Sequence, residues 1–393
     1  MVYKLLDDQG NYLAALVGFF GLLSLFPLLL PLSSLLGFAL DAGPDMQHQI
    51  LRFTLSQFPV IGDQLETTGL RGSGPSSLCA PCRVAGRAPT GHYGPMPSAD
   101  EIREGQRATW AGLSAGWEKW DSVIMEQLGP VGVAMIECLD IADGHQHLDI
   151  ASGTGEPGLS IARLLPKGRV VLTALAAEML DVAARRARAQ GVANIETMVC
   201  SADDLPFDDA TFDSVSVRFG YMFFPDMSKA TAEFARVLKP GGRLCSSVWV
   251  KPEENPWTTI PMQAIATEAV MAPPDPDGPN MFRCAAPGYV SALYEGAGLV
   301  DVAEWDVDVE LVTRSPARYW EMISEHVSLV AAALQRVDEL ARERIRANAI
   351  AKVSVFEKDG TGRVPGVARC IAGTKQDASG TRTSDGALSS NAG

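Results

Sequence analysis

His147-Leu148-Asp149-Ile150-Ala151-Ser152-Gly153-Thr154-Gly155-Glu156-Pro157-Gly158 is the stretch on which the reading of this chain turns. Residues 146–151 form a short, mostly apolar run with an acidic residue near its end, the pattern of a buried strand. Glycines follow at 153, 155 and 158, and a helix is predicted to begin near Pro157. A Gly-X-Gly turn lets the backbone pass close to a ligand, because no Cβ stands between them. The helix behind the turn offers free N–H groups and the positive end of its dipole. This order of strand, glycine turn and helix predicts a nucleotide-type site at the carboxyl edge of a parallel sheet.

Strands and helices alternate on the C-terminal side of this stretch. The apolar patterning predicts strands near 146–151, 169–174, 195–200, 212–217, 242–249, 301–312 and 364–372. Helices are predicted near 157–165, 177–190, 228–237, 258–271, 287–297 and 316–349. Such alternation implies an α/β fold with a Rossmann-like, doubly wound parallel sheet. On the N-terminal side, Glu101 to Trp120 reads as a helix, with Trp110, Leu113, Trp117 and Trp120 at helical spacing. A second helix is predicted from Ser122 to Leu139. The pair is either a lid over the site or a layer packed on the sheet.

At 393 residues the chain has room for two domains, or for one domain with appendages. The net charge of −14 would repel a phosphate backbone, so nucleic acid is not an expected partner. The densest basic run, Arg185-Arg186-Ala187-Arg188, fits a solvated helix face. Seven cysteines, at 79, 82, 138, 200, 245, 284 and 370, are odd in number and scattered, which suits a reducing compartment. Cys79-Ala-Pro-Cys82 has no second pair beside it and reads as two loop cysteines, so no metal is expected.

The N-terminal region has a different character. No charged residue occurs from Asn11 to Leu40, and Ala14 to Leu40 is a 27-residue, mostly apolar run. A bilayer core needs about 20 such residues in a helix, so residues 14–40 are expected to span a membrane. A buried helix of a soluble protein is the alternative. The run lacks the basic start and small-residue cleavage site of a signal peptide. Residues 72–98, rich in Gly, Pro, Ser and Ala, read as a linker. The expected organisation is therefore a membrane-associated segment (1–71), the linker, a catalytic domain (99–375) and a disordered tail (376–393). The catalytic domain is expected on the cytoplasmic side.

Two resemblances give these regions content. Ser24-Leu25-Phe26-Pro27-Leu28-Leu29-Leu30, Phe58-Pro59-Val60-Ile61-Gly62 and Leu70-Arg71-Gly72-Ser73-Gly74 are similar to the start of the YihY/BrkB membrane family. That likeness covers about residues 3–74 and stops, without the family's further spans. Farther on, the glycine turn is followed in register by three segments: Val170-Val171-Leu172-Thr173-Ala174-Leu175, Cys200-Ser201-Ala202-Asp203-Asp204-Leu205-Pro206-Phe207, and Phe212-Asp213-Ser214-Val215 running to Arg218-Phe219-Gly220. After them comes Arg236-Val237-Leu238-Lys239-Pro240-Gly241-Gly242-Arg243, read as a helix end, a tight turn and a strand. This order resembles the class I S-adenosylmethionine-dependent methyltransferases. More narrowly, it resembles the type 11 group that includes the ubiquinone/menaquinone-biosynthesis C-methyltransferases, over about residues 100–375.

The resemblance implies a seven-stranded fold, S-adenosylmethionine as cofactor and a small methyl acceptor; a membrane anchor would help the site reach a lipophilic one. It implies that Asp149 anchors the methionine amino end, directly or through water. Ser152, Gly153, Thr154 and Gly155 would hug the amino acid and ribose, and Ala174, Leu175 and Met179 would border the ribose. Ser201, Ala202 and Asp203 would meet the adenine, and Arg218 and Phe219 the sulfonium and methionine side. Ala174 departs from the family, whose second strand usually ends in an Asp or Glu that accepts both ribose hydroxyls. Charge-assisted hydrogen bonds are worth roughly 1.5–3 kcal/mol each, so the loss is expected to weaken cofactor binding unless Glu178 reaches back from the next helix. No catalytic residue is assigned. His326 is the candidate general base, His147 sits at a strand start away from the expected site, and Tyr221, Trp257, Tyr319 and Trp320 are either an acceptor pocket or core. Two alternatives stand beside the enzyme: a methyltransferase fold that binds weakly without catalysis, and a truncated membrane protein.

Overall fold

The computed structural model describes residues 98–269 and 278–376. The apolar run 14–40, the YihY/BrkB-like segment, Cys79 and Cys82, the linker up to residue 97 and the tail from 377 lie outside the described residues.

The first described element is helix α1 (Ala99–Lys119). Its start is fixed by a capping box: the Ser98 hydroxyl accepts from Glu101 N, and the Glu101 carboxylate accepts from Ser98 N. Such a cap contributes about 1 kcal/mol. Helix α2 (Asp121–Cys138) follows and buries Ile124, Gln127, Leu128, Val131 and Met135. The alternating region then runs β1 (Gln146–Asp149), α3 (Gly158–Leu164), β2 (Arg169–Ala174), α4 (Ala177–Ala189), β3 (Ile195–Val199), β4 (Phe212–Arg218), α5 (Met227–Val237) and β5 (Leu238–Trp249). It continues through α6 (Pro256–Ala266), α7 (Tyr289–Gly296), β6 (Leu299–Thr313), α8 (Pro316–His326), α9 (Ser328–Leu334), α10 (Glu339–Val353), β7 (Glu357–Lys358) and β8 (Thr361–Lys375).

The sheet order is β3-β2-β1-β4-β5-β8-β6, with β7 added as a hairpin on β8. Strands β1 to β5 pair in parallel, while β8 is antiparallel to both β5 and β6. The chain winds outward from β1 to β3 and then returns to β4 on the other side of β1. The topological switch point therefore lies between β1 and β4, and in open α/β sheets ligands bind outside the carboxyl ends of the strands there. The core is continuous across both faces, with Leu148, Leu172, Val215, Val217 and Leu244 fully buried in the sheet and Phe234, Tyr294 and Tyr319 fully buried in the helices. Each such side chain contributes about 1.5–3 kcal/mol on leaving water.

Four expectations change. The sheet has eight described strands, not seven, because Asp359-Gly360 turns the chain into the β7–β8 hairpin with both residues at positive φ, the geometry of a type I′ turn. It is mixed rather than wholly parallel, since β8 enters antiparallel. The Lys239-Pro240-Gly241-Gly242 segment is not a turn ahead of a strand. It is an irregular opening of β5, where Phe212 faces Leu238 and Ser214 faces Arg243. The region 316–349 is three helices: Val327 takes an extended conformation after α8, and Asp338 caps α10 by accepting from Ala341 N at 2.8 Å. Among the described residues no helix is long and apolar enough to cross a membrane.

Candidate functional site

A cavity opens at the switch point, with about 1480 Å³ of empty space when its mouth is included.

Its floor is the carboxyl edge of the parallel strands. Past β1, Ile150 N donates to Ser216 O and Ser152 N to Thr173 O, which lock the turn between β2 and β4. Gly153 then adopts φ +54°, and a Cβ built on it would meet nothing within 4 Å, so the turn lies open beneath the cavity. Phe219, at the end of β4, has φ +58°. A bulky residue held there stores about 1–3 kcal/mol of strain, a feature that concentrates at functional sites.

Twelve of the sequence-predicted residues line this one cavity: Ser152, Gly153, Thr154, Ala174, Leu175, Met179, Ser201, Ala202, Asp203, Arg218, Phe219 and His326. Residues from four strand ends and from a helix more than a hundred positions later thus meet in one space.

Asp149 and Gly155 lie behind the wall instead. Asp149 is fully buried; one carboxylate oxygen accepts from Ser216 Oγ at 2.6 Å and the other from Gly158 N at 3.0 Å. Burial pushes its pKa up to about 7, against the pull of those two hydrogen bonds. It therefore positions the start of α3 and does not itself line the cavity. The ring of His147, also fully buried, extends the same chain: its Nε2 lies 2.9 Å from Ser216 Oγ and its Nδ1 2.7 Å from Ser214 Oγ. Burial alone pushes His147 down to about 3, so the ring is a neutral strut. Gly155 has φ +105°, and a Cβ there would stand 2.8 Å from Leu159 Cδ1, so its role is to let α3 and α4 close on the turn.

The ribose-side expectation also changes. Ala174 does border the cavity, but Glu178 is exposed on α4 and does not reach it. The polar side chain supplied nearby is Gln106 of α1, whose Oε1 accepts from Trp110 Nε1 at 3.2 Å. Trp110 packs against the Leu113, Ala176 and Met179 cluster, which brings α1 over the β2 edge. At the adenine end, Asp203 is 2 % exposed and holds Arg103 of α1 through two hydrogen bonds of 3.1 and 3.3 Å. Burial raises the Asp203 carboxyl, but the hydrogen bonds from Arg103 and Ser201 outweigh it and hold it below the usual range. In this structure Asp203 latches α1 down.

The methionine end carries opposite charges. Glu156 lines the cavity beside the glycine turn and accepts from Ser160 N and Oγ. Arg218 lines it from β4; its guanidinium meets only the thioether of Met125, at 3.8 and 4.0 Å, and among the described residues makes no ion pair within 4 Å. Walled in by protein, it is pushed below the usual arginine range by burial. Glu156 also lies 3.7 Å from both Arg163 and Arg186, so this acid is shared with two bases, while the unpaired Arg218 suits the carboxylate of a bound α-amino acid. With the open glycine turn, these residues fit S-adenosylmethionine at its methionine end, while the missing carboxylate at Ala174 leaves the ribose end less well held.

Beyond Arg218 the cavity turns aromatic. Phe219 stacks on Trp249 with centroids 4.3 Å apart and planes 14° from parallel, and Trp249 leans on Trp257 at 4.9 Å. Phe223 and Trp110 meet edge to face at 5.3 Å. Of the four aromatics read as either acceptor pocket or core, Trp257 lines the cavity and the other three do not. Tyr221 is buried with its hydroxyl on Thr231 Oγ1, Tyr319 is buried with its hydroxyl on Trp257 O, and Trp320 is packed in the core. The residues missed from sequence are Gln106, Gln127, Glu156, Phe223 and Trp249. Only Glu156, sitting in the glycine turn itself, carried a local signal.

Comparison with known proteins finds matches that cover part of this site. The family model described as the ubiE/COQ5 methyltransferase family matches residues 109–266, which include the glycine turn, 201–203 and the end of β4. Residues of this chain are 39% identical over 127 residues to the ubiquinone/menaquinone biosynthesis C-methyltransferase UbiE of Pasteurella multocida, covering 32% of this chain and 47% of that protein. The corresponding protein of Cellvibrio japonicus is 42% identical over 122 residues, covering 30% of this chain and 49% of that one. The chain thus spans about half the length of the curated relatives it matches. A solved structure, phosphoethanolamine N-methyltransferase 2 of Haemonchus contortus, is 17% identical with a TM-score of 0.44, over 72% of this chain and 61% of that chain.

Proposed function

We propose that this chain is an S-adenosylmethionine-dependent methyltransferase acting on a small, mainly apolar acceptor. One observation carries the reading. The glycine turn, the 201–203 segment and the Arg218-Phe219 end of β4 face one cavity whose methionine end bears opposite charges and whose far half is aromatic. The likeness of residues 109–266 to the ubiE/COQ5 family supports it.

When bound, the sulfonium supplies a methyl group that is already electrophilic. The remaining work falls to the chain's own residues. Glu156 would face the cofactor's ammonium and Arg218 its carboxylate. Thr154, whose carbonyl oxygen accepts from Arg186 at 2.6 Å, would present its backbone at the turn. Met179, Trp110 and Phe219 would exclude water. Alignment and exclusion of water account for most of the rate that such a reaction needs.

Calorimetric titration with S-adenosylmethionine tests this directly. A 1:1 binding isotherm is the expected result, and no heat at millimolar ligand would overturn the reading. A second reading, a fold that binds weakly and does not catalyse, is favoured by Ala174. Restoring the carboxylate with Ala174→Asp separates the two, since an active enzyme gains affinity and keeps turnover.

For residues 14–40 we propose a membrane anchor that would bring the site to an apolar acceptor, with the catalytic domain on the cytoplasmic face. Recovery of the full chain in the soluble fraction without detergent would reject it.

A further inference from the structure

Helix α1 lies over the cavity as part of its roof, and one of its faces carries a row of contacts. Arg103, Gln106, Trp110 and Leu113 follow one another at spacings of three and four, so they share that face. Both ends of the row are fixed. Arg103 is held by Asp203, just beyond β3, through hydrogen bonds of 3.1 and 3.3 Å. Trp110 and Leu113 pack with Ala176 and Met179, just beyond β2. The two strands are neighbours, with Ala174 opposite Val199 and Cys200 N donating to Ala174 O at 3.2 Å. Gln106, between Arg103 and Trp110, is thereby set over the gap between the ends of β2 and β3.

The orientation of its amide is fixed as well. An indole N–H only donates, so the Gln106 atom 3.2 Å from Trp110 Nε1 is the amide oxygen. The other arm, Nε2, is a pure donor and has no partner among the described residues. Gln106 lines the cavity and is only half-buried, so this arm is not sealed inside the protein. Ala174, Leu175 and Ala176 line the same cavity and bring no polar side chain to it.

We propose that Gln106 holds the cofactor's ribose hydroxyls, as a donor from the roof in place of the acceptor carboxylate that β2 lacks at Ala174. The proposal rests on the methyltransferase reading and deepens it, since it makes α1 part of the cofactor site and reverses the polarity of the ribose contact. A carboxylate would accept the hydroxyl protons, whereas the amide gives protons to the hydroxyl oxygens. The bond is neutral on both sides, so it is weaker than the charge-assisted pair it replaces. The far end of α1, about three turns on, is fixed independently. There a Cβ on Gly116 would stand 2.5 Å from Glu325 O beside His326, and the Glu325 carboxylate accepts from Trp120 Nε1 at 2.7 Å. Gln106 therefore takes its position from Arg103 and Trp110, not from that seam.

The test is calorimetric and uses the full chain with two ligands, S-adenosylhomocysteine and its 2′,3′-dideoxy analogue, which differ only in the ribose hydroxyls. Wild-type protein should bind S-adenosylhomocysteine about fivefold more tightly, the worth of one neutral hydrogen bond. Gln106→Leu should erase this preference by weakening S-adenosylhomocysteine alone. Gln106→Glu, whose carboxylate still accepts from Trp110 and now accepts from the hydroxyls too, should widen the preference beyond about tenfold and leave the dideoxy analogue unchanged within about twofold. Equal binding of the two ligands by wild-type protein, or a preference that survives in Gln106→Leu, would overturn the proposal. So would a Gln106→Glu preference that stays at the wild-type level, or a change in affinity that both ligands share. If Gln106→Leu fails to fold, Gln106→Glu decides by itself. Failure of S-adenosylhomocysteine to bind the wild-type protein at all would overturn the methyltransferase reading instead.

Discussion

The floor and the roof of the cavity are built on opposite principles. In the floor, polar atoms are paired inward: His147, Ser216, Asp149 and Gly158 N form one buried chain of hydrogen bonds. In the roof, Trp117 Nε1 and Gln127 Nε2 are buried without partners, and His326 offers a bare nitrogen to the cavity. The layer beneath the glycine turn is saturated in this way, whereas Arg218 at the end of β4 and Ser247 Oγ beside it on β5 are left without partners. In the roof the unpaired buried donors cost stability.

Damage to the floor should be the most severe. A Cβ on Gly158 would stand 2.3 Å from Leu172 Cδ2 and 2.8 Å from Asp149 Oδ2. Gly158→Ala should therefore destabilise the protein by about 1–3 kcal/mol, as overpacked cores do, and lower cofactor affinity with it. Denaturant titration checks the first effect, and an unchanged midpoint would show that the floor is softer than it looks.

Asp149 gives the floor a pH signature. Its folded pKa, about 7, lies above the carboxylate's ordinary 3.8, so the native state holds a proton that the unfolded chain has lost. Its contribution to stability is present in full below pH 4 and is lost as pH rises through 7. The slope is at most about 1.4 kcal/mol per pH unit in that window. Asp149→Asn should flatten this slope relative to wild type in thermal melts taken from pH 4 to 8, and parallel curves would contradict it.

Damage to the roof should separate the two halves. Gly116→Ala pushes α1 off Glu325 and should loosen the seam beside His326 by about 1 kcal/mol, while S-adenosylhomocysteine affinity changes less than threefold. A joint collapse of both would mean that roof and floor are one unit. The smallest expected effect is a gain. Gln127→Leu replaces an unpartnered buried amide with an apolar side chain and should raise the stability of the free protein by up to about 1 kcal/mol, read as a rise in melting temperature.

The same contrast explains what the sequence disclosed. The floor is local: Leu148 to Gly158 is one continuous stretch, and its strand, turn and helix each follow from neighbouring residues. The end of β4 and the 201–203 segment were legible for the same reason. The roof joins α1 to α8 across more than two hundred positions, as in the Trp120–Glu325 hydrogen bond, and no periodicity in either helix announces that contact. Trp117 showed helical spacing but not which way it would face. Asp149 was given a ligand-facing role because nothing in the sequence shows that Ser216 and Gly158 already occupy its oxygens. The direction of β8 was hidden as well, since an apolar run reads alike in parallel and antiparallel pairing. The breaks within 316–349 were carried by Asp338, a helix cap inside a stretch whose composition favours one long helix.

The central claim is that the floor holds S-adenosylmethionine less one carboxylate, and one paired titration tests it most directly. S-adenosylhomocysteine should bind the wild-type protein with 1:1 stoichiometry, and Ala174→Asp, at the end of β2 on the cavity wall, should tighten that binding about tenfold, the worth of one charge-assisted hydrogen bond. No binding by wild type, or an affinity that the carboxylate leaves unchanged, would contradict the account.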